Sequence, residues 1–210
     1  METAIIFDTT CASGIKLEKE FGVSTKESEV AKLDTIIQSS NYLSKTIDDF
    51  RNFFKPNKEK SYFSIEEMTD QSITLINASF SFHYIKISKK YDSIEKVFGF
   101  PNEFSQAILN VLANAKDALV QKEIENPHVY INIYQDEKFG FLEIEDNAGG
   151  INPDILIKIF EPYFTTKDKN QGTGIGLYMS KMIVEKNMSG KLTVINTSIG
   201  AKFIFAIPKE

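Results

Sequence analysis

The sequence has a single cysteine, Cys11, among 210 residues, so no intrachain disulfide can form. It also has no apolar run near the roughly 18 to 20 residues that would span a bilayer. Its N-terminus lacks a basic segment followed by a long apolar one, the pattern of a secretion signal. Charge of one sign is nowhere blocked: 24 basic and 29 acidic residues are mixed along the chain, for a net charge of −5. That mixture leaves no electrostatic footprint for nucleic acid or an anionic membrane, and neither partner is expected. Histidine is scarce as well, with only His83 and His128. From the lone cysteine and the missing leader pattern a cytoplasmic chain is expected. What is present is ordinary: 42% hydrophobic residues, enough for one large or two small globular domains.

From Ser24 to Pro56 the sequence reads as one long helix, with Ser24 and Glu27 at capping-box spacing and the proline as the stop. Leu33, Ile36, Ser40, Leu43, Ile47, Phe50 and Phe54 repeat at alternating intervals of three and four, a heptad seam. Such a seam needs partners: a shorter helical segment before Gly22, and a second copy of the chain. Packing on a neighbouring domain is the alternative use of the same stripe.

After the polar linker "NKEKS" the pattern changes. Helices are expected from Phe63 to Ala78, from Asn102 to about Lys122 and from Ile175 to Asn187. Strands are expected in "HYIKIS", "VYINIYQ", "FGFLEIED", "KLTVIN" and "AKFIFAIP". Mixed strands with helices on one face define an α+β two-layer sandwich, here over residues 61–210, preceded by an α-helical hairpin over 1–60.

Three patterns carry chemistry. On the helix after Asn102, Phe104, Ile108, Val111, Leu112, Ala115 and Leu119 form a core stripe, and Asn110, Asn114 and Asp117 form a polar stripe beside it. Asparagine is a mediocre helix former, so two in mid-helix call for a reason: plain solvent exposure, or carboxamide oxygens offered to Mg²⁺, a hard cation that takes few protein ligands. Asp146 ends a strand and is followed by Asn147, Ala148, Gly149 and Gly150. It reads either as an Asx turn or as a pure acceptor for the amino group of adenine, with the glycines letting backbone approach a flat base. Gly172, Gly174 and Gly176 alternate at the start of a helix, a loop that can aim backbone N–H groups at an anion, though it is neither a dinucleotide fingerprint nor a P-loop. Between Ile151 and Gly172 lie about twenty residues with Thr165, Thr166 and Lys167 near their middle, long enough for a lid.

In order and spacing, "NVLANAKDAL", "DNAGGI", "FEPYFTTK" and "GTGIGL" resemble the N, G1, F and G2 boxes of the histidine-kinase ATP-binding domain, whose wider relatives are the gyrase, heat-shock chaperone and mismatch-repair ATPases. "YLSKTIDDFRNFFKPNKEK" is similar to the second helix of the family's dimerisation and phosphoacceptor hairpin. The resemblance implies the ATP-binding catalytic core of a two-component sensor kinase, acting on ATP (or ADP) with Mg²⁺. Asn114, with Asn110, would hold the metal and Asp146 the adenine. Asp117, Gly150, Ile151, Thr165, Thr166, Gly172, Thr173, Gly174, Ile175, Gly176 and Leu177 would line the nucleotide. Lys167 would approach the phosphates and, with Asn110, make up the catalytic pair. The first glycine of the G1 box is Ala148 here. Implied partners are a response-regulator receiver domain and a second copy through the N-terminal helices. The implied location is cytoplasmic, including the cytoplasmic part of a membrane-bound sensor.

Hydrolytic relatives place a glutamate four residues before the magnesium asparagine, where Asn110 stands; an amide has no useful basicity, which favours transfer over vigorous hydrolysis. The expected acceptor histidine is missing from "METAIIFDTTCASGIKLEKEF". His83 reads as a structural strand residue and His128 as a solvated loop residue. Either the chain starts after the true acceptor or the kinase is a divergent one without it. In both cases autophosphorylation of this chain alone is not expected. A nucleotide-sensing dimerisation module and an anti-sigma-type serine kinase are the alternative functions.

Overall fold

The structure, a computed structural model, describes residues 59–92, 94–167 and 172–209, together with Val30, Leu33 and Ile36, which are helical. The rest of the expected heptad helix, its hairpin partner and Cys11 lie outside the described residues. The chain divides into two compact units, one of Met1–Lys55 with Thr165–Thr173 and the other of Pro56–Phe164 with Gly174–Glu210.

The second unit is an α+β sandwich. Its five-stranded sheet runs β2 (Lys86–Tyr91), β4 (His128–Gln135), β5 (Phe139–Asp146), β7 (Ala201–Pro208), β6 (Lys191–Asn196). β2 pairs parallel with β4, and every other pairing in this sheet is antiparallel. Two three-residue strands, β1 (Ser61–Phe63) and β3 (Val97–Gly99), make a separate antiparallel pair. Helices α1 (Ile65–Phe82), α2 (Pro101–Gln121) and α3 (Gly176–Met182) cover one sheet face, and a π-helical turn at Ile183–Asn187 extends α3.

Alternation explains which side of each strand turns to the helices. Ala201, Phe203, Phe205 and Ile207 of β7 are buried, while Lys202, Ile204 and Ala206 between them look outward. On the outer face Lys202 pairs with Glu143 at 3.3 Å and Glu145 at 3.2 Å across the strands. The α2 stripe is the core's spine: Phe104, Ile108, Val111 and Leu112 are fully buried, and Ala115 and Leu119 nearly so. Phe104 meets Phe205 edge-on at 5.9 Å and Phe63 at 5.3 Å. Burying each such large side chain contributes about 1.5–3 kcal/mol before entropy is counted.

Several boundaries differ from expectation. Phe63 ends a strand, and α1 begins only at Ile65, with the Ser64 hydroxyl accepting from Glu67 N–H at 3.1 Å. That helix runs past Ala78 to Phe82 and closes in a Schellman motif: Ile85 N–H donates to Phe80 O at 2.9 Å and Tyr84 N–H to Ser81 O at 3.1 Å, with Tyr84 at φ 55°. His83 is therefore the helix C-cap, not a strand residue, and its ring meets Phe82 at 5.0 Å. The strand expected from His83 starts at Lys86 because the helix end consumes the residues before it. His128 is not a solvated loop residue. It opens β4 half-buried, its Nε2 lies 2.8 Å from Ser88 Oγ, and its ring stacks on Tyr130 at 4.1 Å.

Candidate functional site

Helix α2 links two of the sequence motifs directly. Near its middle, the amide nitrogen of Asn110 donates to the carbonyl of Gly176 at 3.1 Å and to Ser180 Oγ at 3.2 Å. The Ser180 hydroxyl itself donates to Gly176 O at 2.9 Å, so the first turn of α3 is stitched to α2. With its nitrogen so engaged, Asn110 keeps its oxygen as an acceptor. Asn114 follows one turn later and Asp117 almost one more, beside Lys116 at 3.1 Å. All three polar residues are half-buried, Asp117 with 35% of its side chain exposed. At the far end Lys122 is the helix C-cap, roughly 18 Å along the axis from Asn110 at 1.5 Å per residue. Its ammonium donates to Ala148 O at 2.7 Å and Gly150 O at 2.9 Å.

Asp146 ends β5 and is only 4% exposed. Its Oδ1 accepts from Ala148 N–H at 2.8 Å, which is the Asx turn, and from Ala201 N–H on β7 at 3.3 Å. Among the described residues no donor reaches Oδ2, so the same carboxylate shapes the turn and keeps an acceptor in hand. Burial pushes its pKa above the ordinary carboxylate value, against the two backbone hydrogen bonds and the Lys122 charge, which lower it. Gly149 and Gly150 have φ of 72° and 81°, left-handed values that favour glycine. Ala148 is not among the positive-φ residues, so alanine replaces glycine there without backbone strain. Ile151 is clamped at both backbone groups by Asn196, whose Oδ1 accepts at 2.8 Å and whose nitrogen donates at 2.6 Å.

In the third motif Gly174 has φ 64°, and Gly176 is the first residue of α3. Ile175 is buried in the core, so only its backbone can serve a ligand, and Leu177 is half-buried on α3. Thr165, Thr166, Lys167, Gly172 and Thr173 belong to the first unit. Within it, Thr165 Oγ1 accepts from Lys167 N–H at 3.1 Å.

Asn110, Asn114, Asp117, Asp146, Gly150, Ile151, Gly174 and Gly176 thus share one unit, strung along α2 and the ends of β5 and α3. Lys122, Asn196 and Ser180 were not foreseen. Only Lys122 carried a local signal, a cation at a helix C-terminus, which is where such side chains meet carbonyls. Among the described residues no three His, Cys, Asp or Glu side chains cluster as a metal site. Amide oxygens on α2, with the Asp117 carboxylate beside them, are hard donors of the kind that suits Mg²⁺ bringing phosphate oxygens with it.

The layered fold sets these polar groups along one helix, as a nucleotide-binding domain of the ATPase type would need. Residues 99–210 match the family described as histidine kinase-, DNA gyrase B-, and HSP90-like ATPase. The chain belongs to this family, and its α+β unit is an ATP-binding catalytic domain of the histidine-kinase type. It is 41% identical over 115 residues, 53% of its length, to the two-component sensor PprA of Pseudomonas aeruginosa, and 34% identical over 151 residues, 70% of its length, to the sensor protein KdpD of Clostridium acetobutylicum. These matches span only 12% and 16% of those relatives. The solved catalytic domain of the histidine kinase ThkA is 26% identical and superposes with a TM-score of 0.62, covering 72% of this chain and 98% of that one. ThkA in complex with the response regulator protein TrrA covers all of this chain and 59% of that one at a TM-score of 0.74; at 21% identity this likeness shows the fold alone. Among the described residues no helix is long and apolar enough to cross a membrane.

Proposed function

We propose that this chain binds ATP with Mg²⁺ and transfers the γ-phosphoryl group to a histidine, as the catalytic core of a two-component sensor kinase. The observation that carries this reading is α2 itself. It is bonded through Asn110 to the start of α3 and through Lys122 to the Asp146–Ile151 turn, a span suited to a nucleotide lying along it.

In this reading the adenine amino group donates to Asp146 Oδ2. Guanine would present a carbonyl there, so the carboxylate selects against it. Asn114 and Asn110 would hold Mg²⁺ through their amide oxygens, and the metal would neutralise charge on the phosphates. The backbone around Gly174 and Gly176 would receive the phosphate tail. An acceptor imidazole nitrogen attacks the γ-phosphorus in line, the bond to the bridging oxygen breaks, and ADP leaves. Asn110 cannot act as a base toward water, which favours transfer over hydrolysis.

The wider assignment has residues 1–60 as the dimerising hairpin, 61–210 as the catalytic domain, a second copy of the chain across the hairpin, a receiver domain downstream and a cytoplasmic location. A receiver domain as partner accords with the ThkA complex, in which that kinase is bound to the response regulator protein TrrA.

Calorimetric titration with ATP, ADP and GTP, with and without Mg²⁺, tests the core of this reading. The expected result is binding of ATP and ADP, at least tenfold discrimination against GTP, and tighter ATP binding with the metal. Equal affinity for GTP, or no binding at all, would sink it.

A further inference from the structure

The Asp146–Ile151 turn holds three successive peptide units whose hydrogen bonding is unequal. The first joins Ala148 C=O to Gly149 N–H. Its carbonyl accepts from Lys122, and its N–H donates to Ile199 O at 2.9 Å. The third joins Gly150 C=O to Ile151 N–H. Its carbonyl accepts from the same Lys122 ammonium, and its N–H donates to Asn196 Oδ1. A peptide unit is planar and trans, so a grip on both its C=O and its N–H fixes the plane. Between them lies the Gly149–Gly150 peptide, and neither of its polar groups meets a described residue. Two glycines at left-handed φ flank that unit, and without side chains they set no barrier of their own to its rotation.

We propose that Lys122 is a positioning residue for the adenine end of the nucleotide: by holding the two outer peptide planes it fixes the orientation of the middle one that meets the base. One cation serves both planes, whereas their N–H ends have separate partners. Losing Lys122 therefore loosens both at once. Lys122 is itself exposed and outside the core, so replacing it leaves the packing of α2 untouched. The inference rests on the adenine-pocket reading above.

The test compares wild type with K122M, K122Q and K122R by titration of ATP and adenosine, with and without Mg²⁺, across pH. K122M is expected to bind both ligands about tenfold more weakly, the scale of a lost charge-assisted hydrogen bond. The loss is equal for ATP and adenosine because it falls at the base, and the gain in ATP affinity from Mg²⁺ is preserved. K122Q lies between, and K122R, with a donor fork and full charge, recovers most of the affinity. Lys122 and Glu145 are the charged groups that bear on Asp146, the first lowering and the second raising its pKa. The acid limb of ATP binding accordingly moves to higher pH in K122M and back in K122R.

A melting temperature that falls in K122M while adenosine affinity and the acid limb stay at wild-type values would overturn the inference, as would a loss confined to ATP. Wild type that binds no ATP would overturn the adenine pocket and this inference together. Wild-type binding matched by K122M would overturn this inference alone.

Discussion

Tyr163 and Gly174 meet backbone to backbone: Tyr163 N–H donates to Gly174 O at 3.0 Å, and the two residues have φ of 66° and 64°. A Cβ on Gly174 would stand 2.7 Å from Tyr163 O and 2.8 Å from Phe164 N, neither of which can swing aside. Gly174→Ala therefore meets a backbone clash on top of a disfavoured dihedral. It should lower stability by about 2 kcal/mol or more and weaken ATP binding, as read by thermal denaturation and calorimetry. Wild-type melting and affinity would contradict this account of the loop.

Asp146→Asn separates binding from folding. The amide oxygen can still accept from Ala148 and Ala201, but the position Oδ2 occupies becomes a donor and repels the adenine amino group. ATP affinity should fall at least tenfold. Stability should not fall, and the sign follows from the raised pKa of this carboxyl. The folded state takes up its proton more readily than the unfolded one, so ionising it costs stability as pH rises from the ordinary carboxylate range through the folded pKa. The melting temperature of the variant relative to wild type should therefore grow over that window and stay level above it. A difference that shrinks with rising pH would refute the assignment.

Asn114→Ala and Asn110→Ala should part company. The first removes a metal ligand and should reduce the Mg²⁺-dependent part of ATP affinity more than metal-free binding. The second also cuts the ties to Gly176 and Ser180, and should cost about 1–2 kcal/mol of stability even without ligand. If both leave the response to Mg²⁺ unchanged, the metal site lies elsewhere.

Incubation with ATP and Mg²⁺ should leave no acid-labile phosphate on this chain, because its two histidines have other work. His83 sits at a helix end with its ring edge-on to Phe82, and His128 is held by Ser88 and Tyr130. Burial and the neighbouring Lys86 charge lower the pKa of His128. A phosphohistidine at either position would contradict this reading, while transfer to a complete hairpin supplied in trans would support kinase activity.

Much of the sandwich was legible because its elements are long enough to show their period. The α2 stripe from Phe104 to Leu119 and the alternation in β5 and β7 could be read directly. β1 and β3 were not, since three residues display no alternation. The true end of α1 was hidden by the usual signal being absent: Tyr84 occupies the left-handed position where glycine would have marked the stop, as Glu123 does after α2. In the candidate site, Asp146, Gly149 and Gly150 announced themselves through turn chemistry. Lys122 showed only as a cation near a helix end and Asn196 not at all, because their bonds cross 26 to 28 and 45 residues of sequence.

β7 is inserted between β5 and β6, yet follows both in the sequence. Asp146 thus receives its second backbone donor from Ala201, 55 residues later. On the ribosome, a nascent chain that has exposed Asp146 and both glycines still lacks half of that carboxylate's cradle. Competence for nucleotide should therefore arise only once β7 slots in beside β5, so that a chain made no further than β6 binds no ATP.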